Sequence, residues 1–243
     1  MMGLLKFTMK NEEPFVISAK NLGFLALPDY CIRCFWIKCR MEFKFPYQIF
    51  PSIFIHLDLY QKKITNSYYD KNRCVPKWLQ LLGSGAPMYC PHWSKFYYTD
   101  PETDIKIRGV ADEILLLQDD SIVILDYKTA KYTKHQDLLM HIYKTQLNCY
   151  ALIAEKTMGL KVKKLALIYN EPVTDIENID NVIFDNGYNM RFKTHVVPIS
   201  LDKNLVQDLL YIARDIINFK NPPEAENGCK DCERIDELLN LLR

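Results

Sequence analysis

The sequence predicts an α/β fold, a mixed central sheet of about four or five strands flanked by helices. Three observations predict it. The runs "SIVILDYK" (121–128) and "KKLALIYN" (163–170) are short, apolar and partly β-branched, as strands buried by neighbours are. Around them the patterns run helix, strand, strand, helix, strand, the order of a sheet covered by helices. The chain of 243 residues is 49% hydrophobic and 25% charged, enough for a sizeable core. With no internal repeat or low-complexity linker, residues 1–243 read as one domain. Its core covers about 50–220, and cysteine-bearing segments lie at 28–40 and 224–234.

The elements follow in order. Residues 18–44 read as helical with a break at Pro28, and 51–70 as an amphipathic helix opened by Pro51 and Ser52. Residues 71–100 read as loop, with Pro76, Gly83, Gly85, Pro87 and Pro91 among aromatics. "DIKIRGVADEILLL" (104–117) and "SIVILDYK" read as two antiparallel strands turning at Gln118, Asp119 and Asp120. A long helix is expected over 135–158, a third strand over 163–170, and a fourth, alternating one over 192–200. Residues 201–220 form a helix with Leu205, Leu209, Ile212, Ile216 and Phe219 on its apolar side. Pro222 and Pro223 stop it, and the tail beyond frays unless something holds it.

Composition narrows the function classes. A net charge of +1 means that a nucleic-acid partner must meet a local basic patch rather than bulk charge. No apolar run approaches the ~20 residues that span a bilayer. The N-terminal stretch carries acidic residues and lacks the apolar core of a signal peptide, so a cytoplasmic protein is expected. Eight cysteines in such a compartment are thiols or metal ligands rather than disulfides. There is neither a P-loop nor a dinucleotide fingerprint.

The strand "SIVILDYK" ends in charge. Asp126 and Lys128 project from one face of it and Tyr127 from the other. A buried charge is costly without a partner or a metal. Two carboxylates on neighbouring strands bind a hard divalent cation through oxygen, and a lysine beside them positions water or neutralises phosphoryl charge. Asp112, Asp126 and Lys128 supply those parts, on one condition. A three-residue loop at 118–120 pairs Leu117 with Ser121 and puts Asp112 opposite Asp126, whereas a four-residue loop puts them on opposite faces unless a bulge near Gly109 restores the register. Downstream, Gln146 and Tyr150 lie four apart on one helix face, suited to touching a phosphate or orienting the lysine.

"G109-V-A-D112", "I-L-D126-Y-K128-T" and "Q146-L-N-C-Y150", in that order, resemble the PD-(D/E)XK nuclease superfamily in its RecB-like branch. That branch includes exonucleases of CRISPR adaptation and of recombinational repair. The resemblance covers about 105–155 and implies a restriction-endonuclease-like core. It implies Mg²⁺ or Mn²⁺ held by Asp112, Asp126 and the Tyr127 carbonyl, with Lys128 catalytic and Gln146 and Tyr150 accessory. An early-helix ligand is also expected. His56 and Asp58 are the candidates, and His56 is favoured because related members use histidine. The implied function is metal-dependent hydrolysis of DNA, exonuclease-like, with protein partners in a repair or defence complex. The alternative is a non-catalytic nucleic-acid-binding or assembly module of the same fold with a structural metal.

"C31-I-R-C34" and "C229-K-D-C232" each let two thiolates grip one metal, and together they would make a four-thiolate site stapling the two ends. Several RecB-like nucleases hold a [4Fe–4S] cluster with one early and three late cysteines. By that resemblance a cluster is favoured here, while the two-plus-two layout leaves Zn²⁺ open. Cys39, Cys74, Cys90 and Cys149 read as single thiols. The aromatic loop "YCPHWSKFYYTD" (89–100) suits either stacking on single-stranded bases or packing against the sheet; packing is expected for most rings.

Overall fold

The computed structural model describes residues 13–44, 51–133 and 138–241. Its first half runs β1 (Phe15–Ser18), α1 (Ala19–Leu22), α2 (Ile32–Arg40), α3 (Ser52–Asn72), α4 (Lys77–Gln80), β2 (Gly85–Met88), β3 (Tyr97–Asp100) and β4 (Ile105–Arg108). There follow β5 (Glu113–Leu117), β6 (Ile122–Lys128), α5 (Leu139–Thr157), β7 (Val162–Pro172), β8 (Ile183–Phe184), β9 (Gly187–Tyr188), β10 (Phe192–Ile199), α6 (Lys203–Asn218) and α7 (Lys230–Leu241). The main sheet has five strands in the order β10-β7-β6-β5-β2. It is mixed: β6 and β7 are parallel, and the other neighbours are antiparallel. A second sheet orders β1-β4-β3.

Alternation along β6 divides the core between the two faces of the main sheet. Ile122 and Ile124 join Leu147 and Ile153 of α5 and Leu210 and Ala213 of α6 on one side. Val123, Leu125 and Tyr127 join Val75, Leu79 and Leu82 on the other, with Ala166 and Ile168 of β7. Burial on both faces explains why β6 lacks polar alternation until Asp126. The parallel β6–β7 pair is joined through α5, which lies against the first face. The α6 start is capped by Asp202, whose carboxylate accepts from the Leu205 N–H at 3.2 Å. Among the described residues, no helix is long and apolar enough to cross a membrane.

Three local expectations change. The run 104–117 is not one strand: it breaks at Gly109, and β4 and β5 belong to different sheets. The stretch 71–100 is not all loop, because it contains α4, β2 and β3. β2 holds Pro87 at the sheet edge, where a missing N–H is tolerated. The tail beyond Pro223, expected to fray unless held, contains the helix α7. The buried side of α6 is Val206, Leu209, Leu210, Ala213, Ile216 and Ile217, leaving Phe219 exposed. The expected helix start at 135 lies outside the described residues.

Candidate active site

The β5–β6 hairpin sets the register. Leu117 N–H donates to the Ser121 carbonyl at 2.8 Å across a three-residue loop, and Glu113 pairs with Leu125. Continuing that register by one residue puts Asp112 across from Asp126, on the face that α5 covers. The Asp112 carboxylate accepts the Tyr127 N–H at 2.8 Å, which ties the loop before β5 to the end of β6. Asp126 is 3% exposed, and the Lys128 ammonium lies against its Oδ2. Lys128 also sits 4.1 Å from the centre of the Tyr143 ring.

From α5, the Gln146 amide donates to Asp126 Oδ1 at 3.1 Å and to Tyr150 Oη at 2.8 Å. Of the pair expected to touch a phosphate or the lysine, Gln146 holds the aspartate and Tyr150 holds Gln146. Tyr150 in turn lies over Gly109: a Cβ there would meet the tyrosine Cε1 at 2.2 Å. The glycine and the tyrosine, far apart in the sequence, are one packing unit.

Electrostatics make the site needy. Burial, then the neighbouring Asp126 charge, raise the Asp112 pKa, and Lys62 only partly opposes them. Asp126 Oδ2 and Gln146 Oε1 are both buried, and neither accepts a well-aligned hydrogen bond among the described residues. The Lys128 contact supplies charge to Asp126 Oδ2 without the direction of a hydrogen bond. Two neighbouring carboxylates beside the unpartnered Gln146 Oε1 make an all-oxygen set of the kind a hard cation binds, so the donor set fits Mg²⁺ or Mn²⁺.

The early helix contributes differently from expectation. His56 is exposed, and no hydrogen bond joins it to Asp112 or Asp126 among the described residues. Asp58 is the residue that reaches inward. Lys62 bridges Asp58 Oδ2 at 2.8 Å and Asp112 Oδ1 at 3.1 Å. Residues two apart on a helix point about 200° from each other, so His56 and Asp58 cannot share a direction. Gln61, Thr65 and Asn66 complete that side. Gln61 donates to Thr129 Oγ1 at 2.6 Å, Thr65 hydrogen-bonds the Tyr127 hydroxyl at 2.8 Å, and Asn66 donates to Glu113 at 3.2 Å. Burial raises the Glu113 carboxyl to about 7. Sequence reasoning missed Gln61, Lys62, Thr65, Asn66 and Glu113. The signal was present in the spacing 58, 61, 62, 65, 66, a polar seam on one side of a helix whose apolar residues include exposed Ile53, Ile55 and Leu59.

Elsewhere in the fold, Cys31 and Cys34 meet Cys229 and Cys232. All four sulfurs lie within 4.8 Å of one another, close enough to hold a metal. Cys31–Cys232, Cys34–Cys229 and Cys34–Cys232 are 3.6, 3.4 and 3.3 Å apart. Burial raises the Cys34 and Cys232 thiols. Burial opposes ionisation of Cys31 too, but N–H groups of Glu226 and Cys34 outweigh it and lower that thiol. Arg33 adds a two-pronged pair to Asp236 at 3.0 and 2.6 Å, fixing α7 on α2.

Over 71 residues the chain is 38% identical to an ATP-dependent helicase/nuclease subunit from Ligilactobacillus salivarius (strain UCC118). That alignment takes in 29% of this chain and 5% of the relative, so the chain spans only a small part of its length. A solved structure titled "Crystal structure of SSO0001" superposes with a TM-score of 0.40 at 18% identity, covering 89% of this chain and 81% of that one. The family model of the PD-(D/E)XK nuclease superfamily matches residues 63–236, well over half of the sequence, and the protein belongs to that superfamily.

Proposed function

We propose that the protein is a metal-dependent deoxyribonuclease, exonuclease-like and of the RecB-like branch, with its site at Asp112, Asp126 and Lys128. The observation that carries the reading is the convergence of two carboxylates and a lysine where the start of β5 meets the end of the central strand β6, with Gln146 fixing Asp126. The branch assignment is supported by the spacing of the three motifs and by the likeness to a helicase/nuclease subunit. Treating 1–243 as one unit is supported by the cysteines that bring its two ends together.

In this reading Asp112, Asp126 and the Tyr127 carbonyl hold Mg²⁺ or Mn²⁺, with Asp58 near enough to Asp112, through Lys62, to join them. When bound, such an ion acidifies water and offsets phosphate charge. Asp126 keeps its orientation through Gln146, so its carboxylate is pre-set rather than solvent-averaged. Lys128, half-buried against Asp126, donates hydrogen bonds to the attacking water and places positive charge where the phosphorane gains negative charge. The attacking water gives up a proton to solvent as its oxygen bonds to phosphorus, the ester P–O bond breaks, and the leaving oxygen takes a proton back from solvent.

The cysteine site is read as structural. A single zinc with Zn–S of about 2.3 Å puts its four sulfurs roughly 3.8 Å apart at tetrahedral angles. A cube of four irons and four sulfides spreads its thiolates to roughly 6 Å. Contacts of 3.3–3.6 Å and an outer limit of 4.8 Å support Zn²⁺ over the [4Fe–4S] cluster. The catalytic reading is tested with end-labelled single- and double-stranded DNA in Mg²⁺ or Mn²⁺. Fragments from the parent and none from Asp126→Ala support it; DNA left intact in both metals leaves the non-catalytic module.

A further inference from the structure

The aromatic loop before β3 divides into two sets of rings. Phe96 is fully buried and Tyr98 packs on the core, but Tyr89 and Trp93 stay 80% and 47% exposed. In the β3–β4 ladder, Tyr97 pairs with Arg108 and Thr99 with Lys106, while Asp100, Ile105 and Ile107 are buried. Tyr97, Thr99, Lys106 and Arg108 therefore share the outward face of the small sheet. On that face the cations cover the rings: Lys106 Nζ lies 3.7 Å from the Tyr97 centroid, and Arg108 Cζ lies 5.1 Å from the Trp93 centroid. His92 adds a ring 5.0 Å from Trp93. Among the described residues neither Lys106 nor Arg108 is in an ion pair. The carboxylate within these two strands, Asp100, is buried and accepts from Thr103.

We infer that this face, carried by Trp93, Tyr97, Lys106 and Arg108, is a track for single-stranded DNA leading to Asp112. Aromatic faces stack on bases of any sequence, and cations that no protein carboxylate neutralises take phosphates. Duplex bases are already stacked on each other, so exposed rings select the single strand. The chain itself bounds the distance from the track to the proposed site. Arg108 precedes Asp112 by four residues, at most about 13 Å of extended chain, or roughly four nucleotides at the rise of one strand. Gly109 lies on that path, pinned by Tyr150. The destination of the track rests on the nuclease reading, whereas the binding itself does not.

The test uses the full chain, a fluorescein-labelled 20-nucleotide oligo-dT and its duplex with oligo-dA, read by anisotropy without divalent metal. Trp93→Ala should weaken single-strand binding about five- to 150-fold, the effect of losing one stacked base, and Trp93→Phe should restore most of it. Arg108→Gln should weaken binding and lower the slope of log affinity against log salt by about 0.7, one phosphate's share. Bis(p-nitrophenyl) phosphate, too small to reach the track, should be hydrolysed equally by parent, Trp93→Ala and Arg108→Gln. Single-strand affinities within twofold of the parent in both variants overturn the track, as does tighter parental binding of the duplex. If no protein hydrolyses the ester or DNA while Trp93→Ala still loses binding, the nuclease reading fails and the track stands. If hydrolysis persists and binding is unmoved, the reverse holds.

Discussion

Gly109→Ala should injure this protein by a route that can be followed atom by atom. Gly109 has no positive φ, so alanine meets no backbone strain; the penalty is steric. Its Cβ would lie 2.2 Å from Tyr150 Cε1 and 3.1 Å from Cδ1, both ring atoms. The ring cannot swing aside freely. Tyr150 is 4% exposed, leans on Phe96 at 6.2 Å between centroids, and carries the hydroxyl that Gln146 holds at 2.8 Å. Overpacking of this kind costs about 1–3 kcal/mol. For a chain of this size that lowers Tm by about 2–12 °C. Displacing Tyr150 also loosens Gln146 and hence Asp126, and misplacement of a reacting group by ~1 Å costs about 100-fold in rate. Urea unfolding and single-turnover cleavage of labelled single-stranded DNA measure the two effects. The sharper check is a double-mutant cycle. In a Tyr150→Ala background the added methyl has nothing to strike, so Gly109→Ala should then cost under about 0.5 kcal/mol, against a coupling of at least ~1 kcal/mol. Equal costs in both backgrounds, or an unchanged Tm for Gly109→Ala alone, refute the argument.

Other outcomes follow from the same contacts. Thr65→Val strands the buried Tyr127 hydroxyl and should cost about 1–3 kcal/mol in urea unfolding, and adding Tyr127→Phe should recover most of that loss. Asp202→Ala removes the α6 cap and the Lys144 pair and should cost roughly 1 kcal/mol. Cys229→Ser with Cys232→Ser should abolish zinc in elemental analysis and make the segment after Pro223 the first site of limited proteolysis, since α7 then keeps the Arg33–Asp236 pair but loses its metal anchor. A broad absorbance near ~400 nm in anaerobically purified parent protein would instead identify an iron–sulfur cluster.

What could be read from the sequence was whatever strong periodicity or fixed stoichiometry specified. The register of Asp112 against Asp126 was legible because a three-residue turn and alternating faces leave one answer once the loop length is chosen. The meeting of the two Cys-x-x-Cys pairs was legible because two thiolates leave a metal site half built. Other elements lacked such a constraint. β2 is Gly-Ala-Pro-Met, without a β-branched residue, and became a strand through its pairing with β5. The sequence allows a bulge near Gly109, but the change of sheet there was hidden because both halves of 104–117 look like strand, and it is Tyr150, a distant residue, that requires the glycine. On α3 the usual rule is inverted. Its buried residues are Gln61 and Thr65, drawn in by Thr129 and Tyr127, while Ile53, Ile55 and Leu59 face outward. A search for apolar faces therefore overlooks its functional side, and the preference for His56 over Asp58 fell on the exposed one.

The central claim is that Asp126 and Lys128, set on β6 and held by Gln146, hydrolyse DNA. Single-turnover cleavage of 5′-labelled single-stranded DNA in Mn²⁺, with calorimetric Mn²⁺ titration of each protein, tests it most directly. The account predicts fragments from the parent, no Mn²⁺ binding at this site in Asp126→Ala, and in Lys128→Ala retained Mn²⁺ binding with a rate lower by about 100- to 1,000-fold, the loss of one transition-state donor. Cleavage by Asp126→Ala at the parental rate contradicts it and moves the chemistry elsewhere.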